Sequence, residues 1–142
     1  MYDSKILIVE NDYIVAEDLK QILEKMGYDI RGITATGQDA ITKTGETNPD
    51  LILMDIMLNG NMDGIEAAQQ IHNIYNIPFV YLSAYLDNAT LKRAKITEPY
   101  GYISKPFDNM RMQSTIERAV YNHQKDQNFQ ESYIQNLCEF QS

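Results

Sequence analysis

Three short runs of uninterrupted apolar residues, at 6–9, 51–54 and 79–82, restrict this chain to very few folds. Each has the length of a β-strand, and none alternates apolar with polar positions. That is the pattern of strands covered on both faces in the middle of a parallel sheet. A shorter run, Tyr102-Ile103, and a mixed stretch at 29–34 that reads as an edge strand bring the set to five. Between the runs apolar residues return every three to four positions, most clearly at Ile14, Val15, Leu19, Ile22, Leu23 and Met26, which is helical spacing. Gly27 then supplies a stop signal. Further helices are expected at 37–44, 64–75, 88–95 and from 108 to about 123, with Pro49 and Pro78 in the connections.

A strand followed by a helix, five times over, requires right-handed crossovers and a five-stranded parallel sheet with helices on both faces. The expected fold is therefore a (βα)5 doubly wound α/β domain. A chain of 142 residues has room for one such core, placed here at residues 1–123. Residues 124–142 turn polar and then set Phe129, Tyr133, Leu137 and Phe140 on a helical stripe. They read as a C-terminal helical extension that folds back on the domain, serves as a linker, or associates two copies into a homodimer.

Charge narrows the function. Twelve Lys plus Arg against 20 Asp plus Glu leave a net charge of −8, which disfavours neutralising the many phosphates of DNA or RNA. The single cysteine, Cys138, allows no intrachain disulfide and fits a reducing, cytoplasmic setting. No run approaches the roughly 20 apolar residues of a membrane span, and the N-terminus lacks the basic-then-apolar order of a signal peptide, so neither membrane insertion nor export is expected. The triplet Asn88-Ala89-Thr90 has the glycosylation pattern, which is common by chance.

Doubly wound folds bind ligands at the carboxyl ends of their strands, near the point where the strand order reverses. The residues that follow the apolar runs are Glu10, Asn11 and Asp12, then Asp55, Ser83 and Lys105. Carboxylate and amide oxygens are hard ligands that suit Mg²⁺, a hydroxyl can hold a phosphoryl oxygen, and a lysine can offset charge developing in phosphoryl transfer. The absence of His and Cys from the set argues against zinc. Any one of these residues could be a cap or a loop residue. Their joint placement at equivalent ends of four strands is not something capping requires.

The segments 6–12, 53–58, 62–66, 82–84 and 105–107, in this order and spacing, resemble the motifs of the response-regulator receiver family of two-component signalling. The resemblance covers about residues 5–123. It implies a flavodoxin-like strand order of 2-1-3-4-5 and phosphorylation by a histidine kinase or phosphotransfer protein. It further implies Asp55 as phosphoacceptor, with Mg²⁺ held by Glu10, Asn11, Asp55 and the Met57 backbone carbonyl. Ser83 and Tyr102 match the switch hydroxyl and switch aromatic, and Lys105 the lysine that pairs with the phosphoryl group, with a cis bond to Pro106. The domain would be a signalling module more than a turnover enzyme. Met57 and Tyr85, neither of them a water-orienting acid or amide, imply a phosphorylated state that decays slowly.

One departure stands out. The second metal-binding acid of the family is here Asn11, whose amide oxygen can coordinate Mg²⁺ but brings no charge, so weaker metal binding is expected. Asp12 is expected to cap the first helix and face away from the pocket. The loop with Asn59, Asn61, Asp63 and Gly64 mimics the start of an EF-hand, but Gln70 stands at its twelfth position and the charge that calcium affinity needs is missing, so it reads as the turn into the third helix. Two other functions compete: a receiver-like binding module independent of phosphate, motivated by Asn11, and a flavodoxin-type cofactor binder. The second lacks the glycine-rich loop that a phosphate-binding turn needs.

Overall fold

Five parallel strands lie in the order β2-β1-β3-β4-β5 in a computed structural model of the chain. It describes residues 4–84 and 86–141, with side chains through 138. In chain order the elements are β1 Lys5–Val9, α1 Tyr13–Lys25, β2 Asp29–Thr34, α2 Gly37–Thr47, β3 Leu51–Asp55, α3 Gly64–Tyr75, β4 Phe79–Ser83, α4 Asn88–Ile96, β5 Tyr102–Ser104 and α5 Asn109–Gln141. The fold class and the strand order expected from the sequence are those observed.

The three apolar runs form the central strands, and Ile6 through Val9 and Leu51 through Met54 have no exposed surface. Because alternate strand residues point to opposite faces, one run supplies two cores. Ile6, Ile8, Leu51, Leu53, Val80 and Leu82 meet α1 and α5 through residues such as Leu19, Leu23, Met112 and Ile116. Leu7, Val9, Ile52, Met54 and Tyr81 meet α2, α3 and α4 through Ala40, Ile65, Ile71 and Ala94. The edge strands β2 and β5 are more exposed, in keeping with their mixed composition.

Helix ends follow local chemistry. Asp12 caps α1, its Oδ1 accepting from the backbone N–H groups of Ile14 and Val15 at 3.0 and 3.3 Å, as expected for a residue facing away from the pocket. Asp63 caps α3 and Asp87 caps α4 in the same way. Gly27 follows α1 at φ +97°, the left-handed conformation that glycine takes without strain. Asn48 and Asn76, both left-handed, close α2 and α3.

α5 extends well past the expected end near residue 123. Within the described residues its helix is unbroken to Gln141, because residues 124–141 hold neither proline nor glycine to stop it. The Tyr100 hydroxyl donates to Asp126 Oδ2 at 2.7 Å and ties the first part of this extension to the body. Beyond it Phe129, Tyr133 and Leu137 are exposed, and the Phe140 side chain lies outside the described residues.

Candidate phosphoacceptor pocket

β1 lies between β2 and β3, so the chain reverses its winding there and the crevice opens beside the carboxyl ends of β1 and β3. Asp55 is the last residue of β3 and ends it at the mouth of that crevice. The connection from Ile56 to Gly64 closes tightly, the Gly64 N–H donating to the Ile56 carbonyl at 3.0 Å. Gly64 sits so close that a Cβ built there would lie 1.9 Å from the Asp55 carbonyl oxygen. No side chain fits, and this contact sets the start of α3 against the backbone of Asp55.

Two buried carboxylates face each other in the pocket, Glu10 and Asp55, 2% and 4% exposed. The Lys105 ammonium bridges them, donating to Glu10 Oε1 and, at 3.2 Å, to Asp55 Oδ2. The Lys105 backbone N–H donates to the Ser83 carbonyl at 2.8 Å, which sets the residue beside the end of β4, and its bond to Pro106 is cis. The remaining oxygens are also held. Asp55 Oδ1 accepts from the Met57 N–H at 3.0 Å, and Glu10 Oε2 from the Asp12 N–H at 3.1 Å.

Burial, followed by the hydrogen bond and charge of Glu10, pushes the Asp55 carboxyl up to about 6, while the Met57 N–H and Lys105 pull the other way. Burial lowers Lys105, but Glu10 and Asp55 outweigh it and hold the ammonium above its usual range.

Asn11 reaches the same point from the end of β1. One end of its amide lies 3.1 Å from Glu10 Oε2, 3.2 Å from Asp55 Oδ2 and 3.3 Å from the Met57 carbonyl oxygen, and the other end 3.1 Å from Asn59 Nδ2. Three oxygens from three residues therefore converge on one spot, a donor set of the hard type that Mg²⁺ takes. The fit is real but thin. Among the described residues no three His, Cys, Asp or Glu side chains gather to hold a metal ion, because Asn11 stands where a third carboxylate would complete the set.

Ser83 ends β4, half-buried and one residue beyond Leu82, the register partner of Asp55. Tyr102 begins β5 at 36% exposure, its ring 5.9 Å from that of Tyr81, and burial raises its hydroxyl. The Met57 side chain is exposed, and Tyr85 lies outside the described residues.

Two contributors escape a reading of the sequence. Asn59 is legible there only as part of the EF-hand-like loop, and Arg93 on α4, which donates to Asp63 Oδ2 at 2.8 Å, carries no local signal that it ties α4 to the cap of α3.

Residues 6–117 match the family model of the response regulator receiver domain. The chain belongs to that family. Among its relatives are two transcriptional regulatory proteins, PdtaR of Mycobacterium tuberculosis, 33% identical over 82% of this chain, and CrdR of Helicobacter pylori, 32% identical over 80%. This receiver spans about half the length of those relatives, 56% and 54%. A solved receiver domain of a modulated diguanylate cyclase from Desulfovibrio desulfuricans superposes with a TM-score of 0.84 at 33% identity, covering 87% of this chain and 98% of its own. Receivers are signalling modules of two-component systems, and a phosphoacceptor role is general to the family. Among the described residues no helix is long and apolar enough to cross a membrane.

Proposed function

We propose that this receiver accepts a phosphoryl group on Asp55 from the phosphohistidine of a histidine kinase or phosphotransfer protein. The observation that carries this reading is the contact of the buried Asp55 carboxylate with Lys105 at the mouth of the switch-point crevice. An Asp55 oxygen attacks phosphorus and forms the new P–O bond. The P–N bond breaks, its electron pair returns to the imidazole, and the ring takes up a proton from solvent. Burial holds the Asp55 carboxyl up at about 6, so at neutral pH most of the protein carries the ionised nucleophile. Lys105, already on Asp55, supplies positive charge where the phosphoryl oxygens arrive.

Glu10, Asp55, the Met57 carbonyl and the oxygen of Asn11 would hold Mg²⁺, which when bound neutralises charge on the phosphoryl group. Incubation with a small acyl phosphate or phosphoramidate tests the assignment. The expected result is one phosphoryl group per chain, absent when chelator replaces Mg²⁺ during the incubation and absent in Asp55→Asn. Undiminished labelling of that variant would overturn it.

Asn11→Asp is expected to tighten Mg²⁺ on the order of tenfold by adding a charged oxygen ligand, at a cost in repulsion with Glu10 and Asp55 when metal is absent. Calorimetric titration reads this directly. Equal or weaker binding would place Asn11 outside the metal's reach.

Phosphorylation would act by drawing the Ser83 hydroxyl toward the phosphoryl group and letting Tyr102 move into the space behind it. What supports this reading is a Tyr102 ring that is partly exposed and lies 5.9 Å from that of Tyr81, tilted by 40°. A phosphoryl group shifts such an equilibrium only by favouring one of its two positions. Phosphorylation-dependent shifts of the Tyr102 ring resonances are expected, and unchanged resonances would rule the switch out. The readout surface would comprise α4, β5 and the first turns of α5.

A further inference from the structure

The connection between β3 and α3 holds two glycines that each follow an amide or acid, in Asn59-Gly60 and Asp63-Gly64. Only the first pair is free to react with itself. We propose that Asn59 is a site of spontaneous modification: the Gly60 nitrogen closes on the Asn59 side-chain carbonyl and turns the amide into a carboxylate at the rim of the phosphoacceptor pocket. The modification stands on the loop alone, and its effect on metal binding rests on the Mg²⁺ site assigned above.

Such a reaction needs an exposed asparagine, a following residue without a side chain, and a main-chain nitrogen that nothing holds. Asn59 and Gly60 are both exposed and lie in neither helix nor strand. A Cβ built on Gly60 would meet nothing within 4 Å, and its φ of +103° is one that glycine takes freely. Among the described residues the Gly60 N–H donates to no acceptor.

Asp63-Gly64 has the opposite arrangement. Gly64 is buried, and its N–H donates to the Ile56 carbonyl at 3.0 Å. The Asp63 carboxylate accepts from the Glu66 N–H at 2.9 Å and from Arg93 at 2.8 Å. Nucleophile and carboxyl are both occupied there. No other asparagine of the chain precedes a glycine, and Asn61, exposed in the same loop, is followed by Met62, whose side chain hinders the approach.

In the reaction the Gly60 nitrogen bonds to Asn59 Cγ and gives up its proton. The Cγ–Nδ2 bond breaks, and Nδ2 leaves as ammonia with that proton. Water then opens the resulting five-membered succinimide at either of its two carbonyls. One opening leaves an aspartate, the other an isoaspartate whose main chain runs through Cγ. Solvent is the only co-reactant, and nothing is oxidised or reduced. Asn59 Nδ2 lies 3.1 Å from the Asn11 amide, so the new carboxylate arises beside the residue whose missing charge weakens the metal site. A divalent cation in the pocket feels that charge through partly screened solvent.

The test incubates the full chain at mildly alkaline pH and follows its peptides by mass spectrometry. Conversion of amide to acid is expected at Asn59 ahead of every other asparagine, as two separable peptides, one aspartyl and one isoaspartyl. Earlier conversion at Asn61 or Asn88, or an Asn59 that stays intact throughout, would overturn the site. Asn59→Asp supplies the aspartyl product directly and is expected to bind Mg²⁺ roughly threefold more tightly than the fresh parent in calorimetric titration. Equal or weaker binding would overturn the effect on the metal while the modification stood. A parent protein that binds no Mg²⁺ would overturn the metal reading itself, and the peptide masses would still decide the modification.

Discussion

Gly64→Ala is expected to cost about 3 kcal/mol or more of folding stability, at the upper end for overpacking, because the added methyl meets backbone rather than a movable side chain. The new Cβ would lie 1.9 Å from the Asp55 carbonyl oxygen and 2.9 Å from the Ile56 Cα. Relief requires moving α3 away from β3 or displacing Asp55 itself, so the pocket is disturbed together with the core. Thermal unfolding should report a loss of about 10 °C for a domain of this size. A variant that melts with the parent would mean that α3 yields easily and that the contact does not fix Asp55. The absence of a Cβ is what matters here, since Gly64 opens α3 as an ordinary helical residue.

Asp55→Asn should do the opposite in metal-free buffer and stabilise the fold. In the folded protein the Asp55 carboxyl is raised from 3.8 to about 6, so the folded state binds the proton more tightly than the unfolded chain. Stability therefore falls as pH rises through that window, and above it the ionised carboxylate carries the whole penalty. A shift of about two units corresponds to roughly 3 kcal/mol as an upper figure. The substitution removes the charge and keeps the volume, while Lys105 retains Glu10. Urea unfolding with chelator is expected to show the variant more stable at pH 7 to 8, the gain shrinking on acidification and vanishing below about pH 4. Parallel pH profiles would mean that Asp55 bears no desolvation cost.

Much of this molecule is legible in its sequence because its signals are local. Apolar runs at 6–9, 51–54 and 79–82 can be buried on both faces only in a parallel sheet, and α1 announces itself by spacing and by Gly27. The apolar runs stop one residue short of the true strand ends at Asp55 and Ser83, since a polar residue looks like a loop until the ladder beside it is seen. The stripe at Phe129, Tyr133 and Leu137 marks the far end as helical, but its continuity with α5 is hidden for a related reason: polarity past residue 123 suggests a break, although nothing in residues 124–141 stops a helix. At the pocket, residue types point to Glu10, Asp55 and Lys105, because each chemistry stands at the end of its strand or directly after it. Sequence does not show that the Asn11 amide meets Asn59, 48 positions further along the chain, since that contact closes only in three dimensions. The bridge from Arg93 to Asp63 is hidden in the same way.

The most direct test is to locate the phosphoryl group itself. After incubation with a small acyl phosphate and Mg²⁺, borohydride reduction converts a phosphorylated aspartate to homoserine, and peptide mass spectrometry identifies the position. Homoserine at Asp55 alone, and none when chelator replaces Mg²⁺, is the result expected of this pocket. Homoserine at Asp12, Asp63 or another carboxylate with Asp55 unmodified, or no modification anywhere, would contradict it.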